Sequence, residues 1–317
     1  MSKERILVIG AGGQIGSVLI YGLAELYGRE NIIASDLRIQ LNRPEHFEQL
    51  DVLDRNKLFA LVDEKKITQI YHLAAILSAS GEANPLRTWD INMTGFFNVL
   101  EVARERGIKK VFFPSSIAVF GPDTPPVHTP QHTTLNPTTV YGMSKVAGEH
   151  WAQYYHLKYG LDIRSLRYPG IIGYQSDPGG GTTDYAVEIY HKAVLGENYA
   201  CFLEKDTVLP MIYMEDAIRA TIELMEAPSS KIKLRTGYNL AGMSFSPEEV
   251  TQSIQAHYPD FKVSFEPDFR QNIADSWPKS IDDSCAQNDW DWQPKYDLAK
   301  MTADMILNLR KKKGITA

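Results

Sequence analysis

Hydrophobic and polar positions alternate between two periods along the first half of the chain. Short β-branched runs predict strands at Arg5–Ile9, Asn31–Ser35, Phe47–Leu50, Gln69–Leu73, Lys110–Pro114 and Asp162–Tyr168. Between them, apolar residues three and four apart predict helices at Gln14–Tyr27, Asn56–Lys65, Pro85–Arg106 and Thr139–Tyr159. This alternation predicts an α/β, Rossmann-type doubly wound parallel sheet with right-handed crossovers. After Tyr168 the pattern breaks at the loop Asp177-Pro178-Gly179-Gly180-Gly181 and resumes as helices at Thr182–Val194 and Glu215–Met225. The expected division is a dinucleotide-binding domain over 1–170, to which part of 205–240 returns. Residues 171–317 mainly form a small C-terminal α/β substrate lobe.

Composition narrows the function classes. The 317 residues are 44% hydrophobic and 23% charged, which is ordinary globular usage. The net charge of −6 argues against a nucleic-acid partner, and the basic run Arg310-Lys311-Lys312-Lys313 suits the negative end of a final helix. No apolar stretch approaches the ~20 residues of a membrane span. The first residues run directly into a strand, so no signal peptide is expected. Cys201 and Cys285 lack metal-ligand spacing. No metal and a cytoplasmic location are the expectations.

The glycines at 10, 13 and 16 form G-x-x-G-x-x-G between the first strand and the first helix. That context suits a dinucleotide: a tight turn, close approach of backbone to a pyrophosphate, and a helix N-terminus aimed at it. Gly10, Gly13, Gln14, Ile15 and Gly16 are therefore cofactor candidates. Asp36 ends the second strand, where a carboxylate accepts ribose hydroxyls and repels a 2′-phosphate. NAD is expected over NADP, although Arg38 is two residues on. Asp51 and Val52 face either the adenine or, for Asp51, the next helix as a cap. Leu73, Ala74 and Ala75 either touch the cofactor or simply pack. Asn92, a further cofactor candidate, is a poor helix former placed mid-helix, where its amide can bond a neighbouring main chain.

Tyr141 and Lys145 are four apart on a predicted helix, which sets a phenol beside an ammonium. The positive neighbour is expected to lower the phenol's pKa, so that it can take an alcohol's proton while hydride leaves the carbon. A serine at the C-terminal edge of the fifth strand completes the set. Ser116 is preferred over Ser115, and the two should face opposite ways.

Together these residues resemble the extended short-chain dehydrogenases, the group that contains UDP-galactose epimerase. The resemblance covers nearly the whole chain and implies that Tyr168, Pro169 and Ile171 line the cofactor. Three segments are similar, more narrowly, to short-chain L-threonine 3-dehydrogenases: Pro114–Pro122, Tyr168–Ile172 and Gly179–Ala186. That likeness implies oxidation of the threonine 3-hydroxyl by NAD to 2-amino-3-oxobutyrate. Tyr141 would be the base, Ser116 would hold the oxygen, and Lys145 would tune Tyr141. Asp184 would receive the ammonium, with Ser78, Thr182, Gly180 and Gly181 around the carboxylate. A homodimer through the two long helices is implied as well, with Phe96, Phe97, Leu100, Trp151, Tyr154 and Tyr155 as candidate contacts. The alternatives are a sugar-nucleotide epimerase or dehydratase and a non-catalytic dinucleotide-binding regulator. Leu209 stands where the sugar-nucleotide members carry a diphosphate-gripping arginine.

Overall fold

The computed structural model describes residues 4–39, 46–179 and 181–315. The first half comprises β1 (Ile6–Ile9), α1 (Gly16–Tyr27), β2 (Ile32–Asp36), β3 (Phe47–Gln49), α2 (Arg55–Lys65) and β4 (Gln69–His72). It continues with α3 (Ser78–Gly81), α4 (Pro85–Arg106), β5 (Lys110–Ser116), α5 (Val140–Tyr159) and β6 (Ile163–Tyr168). The second half holds β7 (Gly170–Ile172), α6 (Tyr185–Leu195), β8 (Tyr199–Cys201), β9 (Leu209–Tyr213), α7 (Met214–Glu226) and β10 (Tyr238–Asn239). It ends with β11 (Met243–Phe245), α8 (Pro247–Gln255), β12 (Val263–Phe265), α9 (Arg270–Asp275), α10 (Ser284–Trp290) and α11 (Leu298–Lys313).

Among the described residues, seven parallel strands form the main sheet in the order β3-β2-β1-β4-β5-β6-β10. The order reverses direction between β1 and β4, which opens a crevice at their C-terminal edges, where such sheets take ligands. β1 is buried along its length, as a strand covered on both faces must be. The two long helices are bounded by local chemistry. Asn84 caps α4 ahead of Pro85, and Thr139 caps α5. Gly107 and Gly160 end them in the left-handed region.

The second half adds two small sheets, β11-β9-β7 and β12-β8. A separate apolar core lies here, built on α6, β9, α8 and α11. Two helix starts differ from expectation. Residues 14 and 15 belong to the turn, because Gly13 N–H bonds the Gly10 carbonyl. The sixth helix starts at Tyr185, not Thr182, because Asp184 Oδ2 accepts the N–H groups of Gly179 (2.6 Å) and Gly181 (2.8 Å) and holds that stretch as a turn. Gly180 lies outside the described residues.

Candidate active site

The crevice holds two cavities that meet at Leu73 and Ala75, beyond the end of β4. The outer one, about 440 Å³, is lined by Gly10, Gly13, Asp36, Arg38, Asp51, Val52, Ala74 and Arg87 among others. At Gly10 φ is +85°, and an added Cβ would lie 2.7 Å from the Ala74 nitrogen. A Cβ on Gly16 would lie 2.3 Å from the Gly10 carbonyl oxygen. A Cβ on Gly13, by contrast, would come no nearer than 3.4 Å to other atoms. The outer glycines thus serve the turn and the helix–strand approach, while the middle one leaves the cavity floor bare.

Asp36 Oδ2 accepts from Gly12 N–H at 2.9 Å and Oδ1 from Arg38 N–H at 3.2 Å, which fixes the carboxylate at the rim of this cavity. Asp51 turns its carboxylate to Leu53 N–H at 2.9 Å, and Asp54 is the cap of α2. The bare glycine floor, the rim carboxylate and the helix N-terminus beyond it fit an adenine dinucleotide. Asn92 is not part of either lining. Its amide donates to the Ile76 carbonyl (3.0 Å) and Ser144 Oγ (3.3 Å) and accepts from Ile76 N–H (2.8 Å). Asn92 thus braces the strand-end loop against α5.

The inner cavity, about 160 Å³, brings together Gln14, Ile15, Ser78, Ser116, Tyr141, Lys145, Tyr168, Pro169, Ile171, Gly181, Thr182 and Asp184. The Ser116 hydroxyl stands beside the Tyr141 phenol and acts to lower its pKa. Ser115 faces the opposite side of β5, where its hydroxyl donates to Glu149 at 2.6 Å. Gln14 Nε2 donates to the Ile171 carbonyl at 3.2 Å and joins the two halves of the crevice. The Tyr168 hydroxyl is turned away onto Thr221 in the core.

The electrostatics differ from expectation. Burial pushes Tyr141 up to about 12, with only the Ser116 hydrogen bond acting the other way. Burial likewise pushes Lys145 down to about 7. Lys145 Nζ donates to the Pro114 carbonyl at 2.7 Å and lies 5.3 Å from the centre of the Tyr141 ring. Desolvation dominates at the phenol in this state. The expected acidification of Tyr141 by Lys145 is thus corrected. The glycine loop also departs from its expected role, since the Gly181 N–H is taken by Asp184 and is not free for a carboxylate.

Sequence reasoning missed Trp277, Thr183 and Leu77 on the inner wall and Arg87 on the outer one. Trp277 arrives from the far end of the chain with no local signal. Arg87 sits in the first turn of α4, where any residue type is ordinary.

The comparisons agree with this geometry. Residues 6–241 match the model of the NAD dependent epimerase/dehydratase family. An uncharacterized epimerase/dehydratase of Staphylococcus aureus (strain MRSA252) is 49% identical over 317 residues, covering 98% of each chain. The solved holo form of a GalE-like L-threonine dehydrogenase from Cupriavidus necator is 55% identical, covering 96% of this chain and 99% of that one, with a TM-score of 0.95. A monomeric L-threonine 3-dehydrogenase from a metagenome, solved in the apo form, is 51% identical, covering 97% and 99%, with a TM-score of 0.95. The chain therefore belongs to the NAD dependent epimerase/dehydratase family.

Proposed function

We propose that this protein is an NAD-dependent L-threonine 3-dehydrogenase, oxidising the 3-hydroxyl to give 2-amino-3-oxobutyrate. The observation that carries the reading is the meeting of Tyr141, Ser116 and Lys145 in a small cavity at the inner end of a dinucleotide cleft. The walls of that cavity carry Ser78, Ser116, Thr182 and Asp184, polar groups that suit the charged ends and hydroxyl of an amino acid. Leu209, at the position of the sugar-nucleotide arginine, is buried in β9 and offers nothing to a diphosphate.

NAD, when bound, supplies the hydride acceptor; Gly10, Gly13, Gly16 and Asp36 would hold its adenosine and phosphates. Ser116 holds the substrate hydroxyl against Tyr141, which takes its proton. The Lys145 charge favours the phenolate once the two are paired in a closed cleft. Thr182 and Ser78 present hydroxyls to the substrate's charged end. Asp184 keeps Oδ2 on the N–H groups of Gly179 and Gly181 and would meet the ammonium through Oδ1.

Assembly follows the long helices. Trp151 and Tyr154 are 39% and 43% exposed on α5 and, with His150, border an apolar groove. A homodimer through α4 and α5 would bury it, and light scattering on Trp151→Lys against wild type tests this. Cys201 and Cys285 are both free, which suits a reducing cytoplasm. Among the described residues no helix is long and apolar enough to cross a membrane, and none of their acidic, histidine or cysteine groups could hold a metal.

The test is NADH formation with L-threonine, L-serine, L-allo-threonine and UDP-glucose in parallel. Turnover of L-threonine alone or foremost is expected. Turnover of the UDP-sugar alone would replace the reading with an epimerase, and NAD binding without turnover would replace it with a regulator. Tyr141→Phe is expected to lose at least ~100-fold in kcat with NAD affinity nearly unchanged.

A further inference from the structure

Beneath the inner cavity lies a buried ionic network that the reaction as described does not use. Glu149 is fully buried on α5, one helical turn beyond Lys145. Its Oε1 accepts from Arg167 Nε at 2.9 Å and its Oε2 from Arg167 Nη2 at 2.7 Å, a two-pronged pair shut away from water. Oε1 also accepts from Ser115 Oγ at 2.6 Å. Arg167 is held in turn by the Gln131 carbonyl (3.0 Å) and Asn239 Oδ1 (3.1 Å).

Each anchor of this network is next to a site residue. Ser115 precedes Ser116 on β5, and Arg167 precedes Tyr168 on β6; in the sheet register Ser115 pairs with Arg167 and Ser116 with Tyr168. Alternate strand residues face opposite ways, so Ser115 and Arg167 turn toward Glu149 on α5, and Ser116 and Tyr168 turn the other way. Glu149 is the point where the two strands and the catalytic helix are joined.

Glu149 also carries the negative charge that acts on Lys145. The groups facing Lys145 are few. From β4 comes His72, buried against Phe96 and pushed down to about 3 by desolvation, hence neutral at working pH. From β5 come the Pro114 carbonyl and the Phe113 ring, its centre 4.7 Å away. From α5 come Tyr141 and Glu149, and from β6 comes Arg167 through Glu149.

We infer that Glu149 is a positioning residue for the dehydrogenase: its buried carboxylate, locked by Arg167 and Ser115, favours the protonated form of Lys145 and so raises the share of the reactive ammonium–phenolate pair. The inference rests on the roles proposed above for Tyr141 and Lys145.

A charge role has a signature that a packing role lacks. With Lys145 near 7 and Tyr141 near 12, the pair holding one proton is mostly neutral amine and neutral phenol. Ammonium with phenolate is its minor form. On the acid side, kcat/KM climbs with pH along a line that depends on Tyr141 and not on Lys145. The climb stops when the pair loses its first proton, chiefly from Lys145. Removing the Glu149 charge moves that break to lower pH. The plateau then falls by the same factor, about tenfold for each unit moved, while the acid-side lines coincide.

The experiment is the pH profile of kcat/KM for L-threonine at saturating NAD, over roughly pH 5 to 10. Wild type is compared with Glu149→Gln, the double variant Glu149→Gln/Arg167→Gln, and Ser115→Ala. The substrate's own amine titrates identically in all four. The expected result is a break moved to acid in both Glu149 variants, with matching loss of plateau and a shared acid limb. The double variant relieves the unpaired guanidinium and is the one read if the single variant does not fold. Ser115→Ala keeps the charge and is expected to leave the break in place. A profile lowered evenly at every pH in a Glu149 variant, or a break moved by Ser115→Ala, overturns the inference. Full turnover in Tyr141→Phe would instead overturn the assignment of the base, whatever Glu149 does.

Discussion

Gly16 lies against Gly10 so closely that a methyl group on its α-carbon would sit 2.3 Å from the Gly10 carbonyl oxygen and 2.8 Å from the Ala11 α-carbon. Both obstacles are backbone and cannot swing aside. Gly16→Ala must therefore push α1 off the end of β1 and distort the turn. A loss of ~1–3 kcal/mol in stability is expected, with NAD binding weakened at least ~10-fold. Thermal melts and NAD titration by tryptophan fluorescence check both.

Lys145 shows the cost of placing a cation where the chemistry wants it. Its pKa falls from 10.5 in the unfolded chain to about 7 in the folded one. Between those values the unfolded chain binds more protons, so this group's contribution to stability rises with pH from 7 toward 10.5 and is unfavourable below. Lys145→Met is expected to abolish turnover yet raise the melting temperature at pH 7. The gain shrinks as pH rises. Melting curves at several pH values decide it, and a lower melting temperature at pH 7 would contradict the desolvation argument.

In the function proposed above Asp36 guards the ribose end of the cleft; Arg38 and Arg87 line the same cavity. Asp36→Asn keeps the acceptor for Gly12 N–H but removes the charge that repels a 2′-phosphate. The ratio of kcat/KM for NAD to that for NADP is expected to drop at least ~10-fold. Steady-state assays with the two cofactors measure it.

Thr182 is almost wholly buried, lines the inner cavity, and its hydroxyl has no partner among the described residues. Such a group awaits a ligand. Thr182→Val keeps the shape and removes the hydroxyl. KM for L-threonine is expected to rise ~5–20-fold with the melting temperature unchanged or higher. An unchanged KM would show that the hydroxyl never meets substrate.

Much of this was legible in the sequence because its signals are local. The β1–α1 glycines, the carboxylate after β2 and the i, i+4 pair on α5 each need only a few neighbouring residues to be recognised. The strands of the main sheet other than the two-residue β10 were visible for the same reason, since β-branched runs bury themselves on both faces. What stayed hidden depends on distant partners. Nothing local shows that the Asn92 amide braces Ile76. The sequence reading set Lys145 to acidify Tyr141 because spacing reports proximity, not dehydration. Nor does anything local show that Asp184 Oδ2 also holds the glycine loop. The short strands β7, β8, β11 and β12 carry too few residues for any period to declare itself.

The seventh strand of the main sheet has a consequence for how the chain is made. Tyr238 and Asn239 dock beside Leu166 and Arg167, so the outer edge of β6 stays open until those late residues leave the ribosome. An open parallel edge invites pairing with other nascent chains, and closing it needs a contact between remote parts of the polypeptide. A fragment ending soon after β6 would carry that raw edge permanently, along with an Arg167 deprived of Asn239. Such a fragment should clump rather than fold, however complete its glycine loop.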